Sequence, residues 1–449
     1  MIVMKFGGSS VANAERFRSV SEIVRSQLDK KPVVVLSAMG DTTDHLIDAA
    51  EQALSTGPVT VEQSLELITS VHLNTLRDLG LTRSVPPEIR ELLAELGSLL
   101  AGISLIGELS PRSRDFLVSF GERLSVRIAE MYFCAQGITA KALDAWDAGI
   151  LSDGNWTQAE ILEESRRTVP AALAPLLEKN IVPVVTGFIA KNKTGGITTL
   201  GRGGSDLTAT FIASACTAEE VQVWKDVDGI MTCDPRVISH ARPVAQVTYD
   251  EAAELAYFGA QVLHPRAMLP CSMTGTPVLV KNSYNPTAPG TRISTQLERG
   301  VSAVRALTSR RGVTLVDIVS ARMLGQSGFL GEVFAAFARH KISVDMVATS
   351  EVSVSVTLDS CYNLDDLTCE LSRIARVEAK DNMAIVTIIC DVRRSSQILE
   401  RAFARFGALN VQVQMISQGA SKVNISFIVN SGEAETAIRG LHREFFEAA

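Results

Sequence analysis

The sequence contains no apolar run near the ~20 residues that a membrane-crossing helix needs, so no membrane segment is predicted. It has no block of lysine and arginine, and its formal net charge is −7, which sets nucleic acid aside as a partner. Seven cysteines are scattered without a CxxC pair. An odd number without a framework argues for reduced thiols in the cytoplasm, and against disulfides or a structural metal. Nothing matches GxxxxGKS or GxxxxGKT, which excludes a P-loop enzyme. No evident Cys/His or Ser/His pair marks a nucleophile. The opening Met1 to Phe6 stretch is too short for a signal peptide and runs straight into glycines, so it reads as a first β-strand.

What is present is an ordinary globular composition, 46% hydrophobic and 21% charged, in 449 residues. That length allows about three domains. Short β-branched runs (Pro32 to Ser37, Ile181 to Thr186, Val221 to Trp224) alternate with helical patterns such as Ala14 to Leu28 and Thr208 to Ala215. Continuous apolar strands between helices predict an α/β fold, a mainly parallel sheet between helix layers. From Val59 to Gln136 the pattern is mostly helical, with Ser110-Pro111 as a cap and first-turn proline.

A proline- and glycine-rich run from Asn285 to Thr291 ends this portion. Beyond it lies an internal repeat, in which residues 334–347 line up with residues 403–416. Each copy has a strand before its helix (Val313 to Val319, Ala384 to Cys390) and an alternating strand after it (Val352 to Leu358, Val423 to Val429). The βαββ order is ferredoxin-like. The two units resemble tandem ACT domains, modules that bind small effectors. The expected domains are a catalytic portion 1–295, a first ACT unit 312–383 and a second 384–449, completed by a strand from 301–311.

Four segments carry chemistry. Lys5-Phe6-Gly7-Gly8-Ser9-Ser10 joins a strand to a helix, where glycine amides and a helix N-terminus suit an anion and Lys5 adds a point charge. Gly201-Arg202-Gly203-Gly204-Ser205-Asp206 is a second glycine loop. Ser205 or Asp206 is placed to cap the following helix, and the Arg202 fork suits a carboxylate. A capped turn with a solvated arginine is its plain alternative. Ser37 to Thr43 ends a strand with small hydroxyl residues at a sheet's carboxyl edge. Phe120-Gly121-Glu122-Arg123 sets a carboxylate on a helix, where a solvated surface position is the usual answer.

KFGGSS, VLSAMGDTTD, SFGERLS, TTLGRGGSDLTA, WKDVDGIMTCDPR and FGAQVLHP occur in an order similar to the aspartokinases of the amino-acid-kinase family. With the ACT-like tail, the resemblance covers nearly the whole chain. It implies ATP-dependent phosphorylation of the β-carboxylate of L-aspartate, with Mg²⁺ carried by the nucleotide. Lys5, Gly7, Gly8 and Ser9 would contact the transferring phosphoryl. Arg202 would pair with the α-carboxylate and Glu122 with the ammonium, and Ser37, Thr43, Phe188, Gly203, Gly204, Ser205 and Asp206 would complete the pocket. Lys225, Asp226, Met231, Arg236 and Gln261 fall at ATP contacts. Many members carry lysine where Gln261 stands. The tail looks like lysine-sensitive members, which places an L-lysine effector at Met323, Gln326, Phe329, Leu330, Val344, Asp345, Ser350 and Glu351. A homodimer or larger assembly through the ACT edges is implied. Another amino-acid kinase, such as a glutamate 5-kinase, and an amino-acid sensor with impaired catalysis are the rival readings.

A carboxylate acceptor is already ionised near neutral pH, so no strong base is needed. Bringing two anions together requires positioning and positive charge, which lysine, arginine and backbone amides supply.

Overall fold

Val3–Phe6 and Val33–Leu36 are buried at every residue, as strands covered on both faces must be. The computed structural model describes all residues except 56–57, 82–84, 259–262, 299, 301, 326, 360–362, 419–422 and 448–449, with the backbone alone at 58–60. The chain forms two compact units. The first comprises Met1–Ile230, Ala245–Tyr249 and Val262–Leu297; the second comprises Met231–Val244, Asp250–Gln261 and Glu298–Ala449.

In the first unit the strands are β1 (Val3–Phe6), β2 (Val33–Leu36), β3 (Ala140–Leu143), β4 (Leu151–Ser152), β5 (Val182–Thr186), β6 (Ile189–Asn192), β7 (Ile197–Thr199), β8 (Val221–Lys225), β9 (Gln246–Thr248), β10 (Val278–Asn282) and β11 (Thr291–Ser294). Eight of them form one sheet in the order β3-β5-β2-β1-β8-β10-β11-β9. Among the described residues of that sheet, only the β10–β11 pair is antiparallel. The strand order turns outward in both directions from β1, between β2 and β8. That is the switch point at which open α/β sheets leave a crevice beyond their carboxyl ends.

Helices α1 (Ala14–Arg25), α2 (Thr42–Ser55), α3 (Pro58–Asp78), α4 (Pro87–Ile106), α5 (Pro111–Ala135), α6 (Ser165–Glu178) and α7 (Gly204–Ala215) belong to the same unit. Ser110 caps α5 by accepting from the Ser113 amide at 3.2 Å, with Pro111 in the first turn. Helix α7 starts at Gly204, three residues before the expected start at Leu207, with Gly203 as N-cap and no side-chain cap. Asp206 therefore lies in the first turn, and the capping role expected for Ser205 or Asp206 is corrected. Helix α8 (Tyr249–Tyr257) follows β9 directly, and α9 (Pro265–Thr274) precedes β10.

The second unit holds β12 (Val304–Val319), β13 (Met346–Thr349), β14 (Ser353–Asp359), β15 (Arg376–Cys390), β16 (Met415–Ser417) and β17 (Asn424–Asn430) in the order β13-β14-β12-β15-β17-β16. Its helices are α10 (Phe329–Arg339), α11 (Asp365–Leu371), α12 (Ser395–Ala408) and α13 (Ala434–His442). The far half of β12, Val313–Val319, pairs with β14, whereas Val304–Arg311 pairs with the Ala384–Cys390 half of β15. Phe337 and Phe406, at equivalent places in the repeat, are each 2% exposed and anchor separate cores. Truncating either to alanine costs roughly 3–5 kcal/mol.

Two segments expected within the catalytic portion cluster with this unit instead. Cys233 and Ile238 join the core of Ile388 and Phe427, and Phe258 joins Met346, Met415 and Ile428. Their apolar side chains find a core there, which the local sequence pattern does not reveal.

Candidate active site

The two loops that leave β1 and β2 are locked together by glycine. A Cβ on Gly8 would lie 2.9 Å from the Gly40 carbonyl oxygen and 3.0 Å from that of Ala38, so no side chain fits. The Gly40 amide donates to the Gly8 carbonyl at 3.0 Å. Lys5, near the end of β1, is thereby presented beside the Ser37 to Gly40 loop.

Lys5 is 6% exposed, and its Nζ sits 2.6 Å from Asp206 Oδ1. Lys225, at the end of the adjacent β8, places its Nζ 3.5 Å from Asp206 Oδ2. Burial alone would push the Asp206 carboxyl up, but the two ammonium groups outweigh it and hold the carboxyl below its ordinary range. Burial also lowers the Lys225 ammonium, with Asp206 opposing and Lys5 adding to the effect. Two cations share one anion, so one net positive charge is left beside the cleft.

Glu122 is not the solvated residue that its helix suggested. It is 2% exposed, and burial pushes its carboxyl up to about 8. The Ala38 amide donates to Oε1 at 3.2 Å, while Oε2 is buried with no partner among the described residues. Asp115 lies two turns earlier on α5, hence on the same face. It accepts from the Thr157 amide (2.8 Å), the Thr199 amide (2.9 Å) and the Thr199 hydroxyl (2.9 Å). Burial nonetheless raises its carboxyl above the usual range.

A cavity of ≈ 600 Å³ brings together Lys5, Gly8, Ser37, Thr43, Glu122, Phe188, Arg202, Gly203, Gly204, Ser205 and Asp206. Arg202 is exposed and has no partner among the described residues. Phe188 has a φ of 66°, a conformation costly for a bulky residue, and its amide donates to Thr208 Oγ1 at 3.2 Å. Sequence reasoning missed Asp115, and with it Arg114, Thr157 and Thr199 in the lining. The seven-residue spacing of Asp115 and Glu122, two carboxylates on one helix face, is the signal that could have found it.

The amino acid kinase family model matches residues 1–282, and the ACT domain model matches residues 316–362 and 386–445. Aspartokinase 1, chloroplastic, of Arabidopsis thaliana is 49% identical over 462 residues, covering 99% of this chain and 80% of that protein. The chain belongs to the aspartokinases. Two crystal structures of Escherichia coli aspartokinase III, one with lysine and aspartate (T-state) and one with aspartate and ADP (R-state), are each 35% identical with a TM-score of 0.80. Both cover 99% of this chain, and the match spans 99% and 100% of their chains respectively. Aspartokinases phosphorylate the β-carboxylate of aspartate at the expense of ATP.

Other aspartokinase positions fall outside the cavity lining. Gly7 and Ser9 flank Gly8, and Asp226 follows Lys225 at the end of β8. Met231 and Arg236 belong to the second unit, and Arg236 forms a fork with Asp234, 2.7 Å at the shortest. Gln261 and Gln326 lie outside the described residues.

In the second unit, the Ser320 amide donates to the Val352 carbonyl at 2.8 Å, which sets the turn bearing Met323 beside Ser350 and Glu351. Phe329 is buried, Met323 and Val344 pack on the same core, and Leu330, Ser350 and Glu351 are exposed. Asp345, expected to await a cation, is already engaged. It accepts from the Tyr257 hydroxyl at 2.7 Å and pairs with Arg310 at 3.2 Å.

Proposed function

We propose that the cleft beyond β1, β2 and β8 is where this aspartokinase moves the γ-phosphoryl of ATP onto the β-carboxylate of L-aspartate. The arrangement of Lys5, Asp206 and Lys225 carries this reading, because it gathers positive charge where the phosphoryl and the carboxylate must meet. Lys5 faces the developing charge on the phosphoryl oxygens, and the amides of Gly8 and Ser9 assist it, that of Gly7 being given to the Trp224 carbonyl. Arg202 takes the α-carboxylate as a bidentate fork. Glu122 Oε2, buried and without a partner among the described residues, takes the ammonium and gives up its proton to solvent to do so. Ser37, Thr43, Phe188 and the Gly203 to Ser205 turn close the pocket around aspartate.

The nucleotide is assigned to Lys225, Asp226, Met231, Arg236 and Gln261 by resemblance alone. Mg²⁺ rides on the ATP phosphates in this reading, since Asp206 is neutralised by two lysines and Glu122 is held protonated. ADP release with aspartate, glutamate and N-acetylglutamate in turn tests it, with hydroxylamine trapping the acyl phosphate. Turnover on glutamate but not aspartate refutes it.

L-lysine is the proposed effector, at Met323, Gln326, Phe329, Leu330, Val344, Asp345, Ser350 and Glu351. The lysine-bound E. coli structure supports this. Pairing through ACT edges is supported by Val347 and Ile416, each 40% exposed at equivalent places on β13 and β16. A cytoplasmic setting suits six described free cysteines. Among the described residues no helix is long and apolar enough to cross a membrane.

A further inference from the structure

Helix α8 holds the regulatory sheet along one face. Glu251, Glu254 and Tyr257 recur every third residue and so point the same way. Glu251 meets buried Arg305 of β12 at 3.3 Å, Glu254 accepts from Asn424 of β17 at 2.5 Å, and Tyr257 donates to Asp345 at 2.7 Å. One residue beyond the helix, the Phe258 carbonyl accepts from Thr308 of β12 at 2.7 Å, and its side chain is 4% exposed among Met346 and Met415. Both ACT units therefore grip the same short helix. Its first residue, Tyr249, directly follows β9, the edge strand of the eight-stranded sheet.

Of these contacts, the one from Tyr257 ends on a carboxylate assigned to the effector. Asp345 has little left to offer a newcomer. Tyr257 occupies Oδ1, Arg310 occupies Oδ2, and the side chain is 10% exposed. The Arg310 guanidinium also lies 5.7 Å from the Tyr257 ring centroid and pairs with Asp359, so one cation is divided between two carboxylates. Each oxygen keeps a second lone pair, but with the side chain 10% exposed an incoming ammonium reaches it only by moving Tyr257 or Arg310 aside.

We propose that the effector's ammonium and Tyr257 compete for Asp345, so that effector binding frees the C-terminal end of α8 from the first ACT unit. This rests on the reading of Asp345 as an effector contact. Tyr257 is then a positioning residue, the point at which occupancy of the regulatory unit is passed to the helix that follows β9. The other contacts of α8, on Arg305, Asn424 and Thr308, stay in place, so the change is a loosening of one end.

Tyr257→Phe keeps the ring and its edge-on packing against Phe258 at 5.0 Å, and removes only the hydroxyl. L-lysine is titrated calorimetrically into the full-length wild type and variant, and inhibition of aspartate-dependent ADP release is measured alongside. The variant is expected to bind lysine about tenfold more tightly, because a competing bond to a charged acceptor is gone. Saturating lysine is expected to inhibit it less deeply, because the helix end is already free. Loss of a merely structural contact would weaken lysine binding, not tighten it. An unchanged or weaker Kd overturns the competition, and full-depth inhibition despite tighter binding overturns the passage through α8. A wild type that neither binds lysine nor responds to it overturns the effector reading of Asp345 itself, and the competition with it.

Discussion

The proposed pairing of Glu122 with the substrate ammonium makes aspartate recognition a proton-linked event. The Glu122 carboxyl is pushed up to about 8 by burial, opposed by the Ala38 amide, its own amide and the Lys5 charge. At pH 7 roughly a tenth of empty sites carry the ionised form that an ammonium needs. The apparent affinity for aspartate should then be about tenfold weaker at pH 7 than well above pH 8, since binding is divided by the competent fraction. Close to one proton should leave per aspartate bound at pH 7, read by calorimetry in buffers of different ionisation enthalpy. Glu122→Gln removes the titration while keeping the shape. Its KM for aspartate should be raised and flat between pH 6.5 and 8.5, where the wild-type KM falls. A pH-independent wild-type KM, or a glutamine variant that retains the wild-type profile, refutes the assignment. The same shift has a stability consequence of fixed sign. The folded-state value of about 8 lies above the ordinary 4.5, so this stabilisation is present at low pH and is lost as pH rises through about 8. The size is on the order of a few kcal/mol. Glu122→Gln should show no such loss in denaturant titrations.

Lys5→Ala should lower turnover about a hundredfold or more at saturating substrates, the ~2.7–4 kcal/mol typical of a preorganised electrostatic group. Near-normal turnover would rule the role out. Arg202→Lys keeps the charge and loses the planar fork, so the aspartate KM should rise; an unchanged value means that Arg202 faces something else. Glu351→Lys should leave an active enzyme that lysine no longer inhibits, since typical couplings of ~1–3 kcal/mol vanish when the effector's ammonium is repelled. Inhibition curves on wild type and variant decide it, and an unshifted curve removes Glu351 from the pocket.

The parts of this molecule that were legible in the sequence are those in which local pattern and tertiary role coincide. Val33 to Leu36 is an unbroken apolar run because both faces are covered, and the repeat of Phe337 and Phe406 is visible because each must fill its own core. Lys5 and Arg202 could be picked out because each is a basic residue beside a glycine loop at a strand end, a pairing suited to an anion. Glu122 could not be told from a surface residue by its helix alone. Its seven-residue partner Asp115 passed unnoticed because buried carboxylates are satisfied by distant amides, here those of Thr157 and Thr199.

Asp206 shows the same limit from the other side. A short acidic residue after glycines satisfies every local rule for a cap, yet its oxygens are taken by Lys5 and Lys225 from two different strands. The parallel pairing of β1 with β8 brings those lysines side by side, and nothing in the local sequence around either announces it. Asp345 repeats the pattern in the second unit, where a strand-end carboxylate that looked free is bound by Tyr257 and Arg310. In each case a charge was correctly located and its partner was not, because a charge is a property of one position and its neutralisation is a property of the fold. The residues whose partners come from far away are therefore those where catalysis and control should be sought. Lys5 shares the Asp206 carboxylate with Lys225, and Asp345 divides its own between Tyr257 and Arg310, so a ligand at either place must displace or recruit a group already bound.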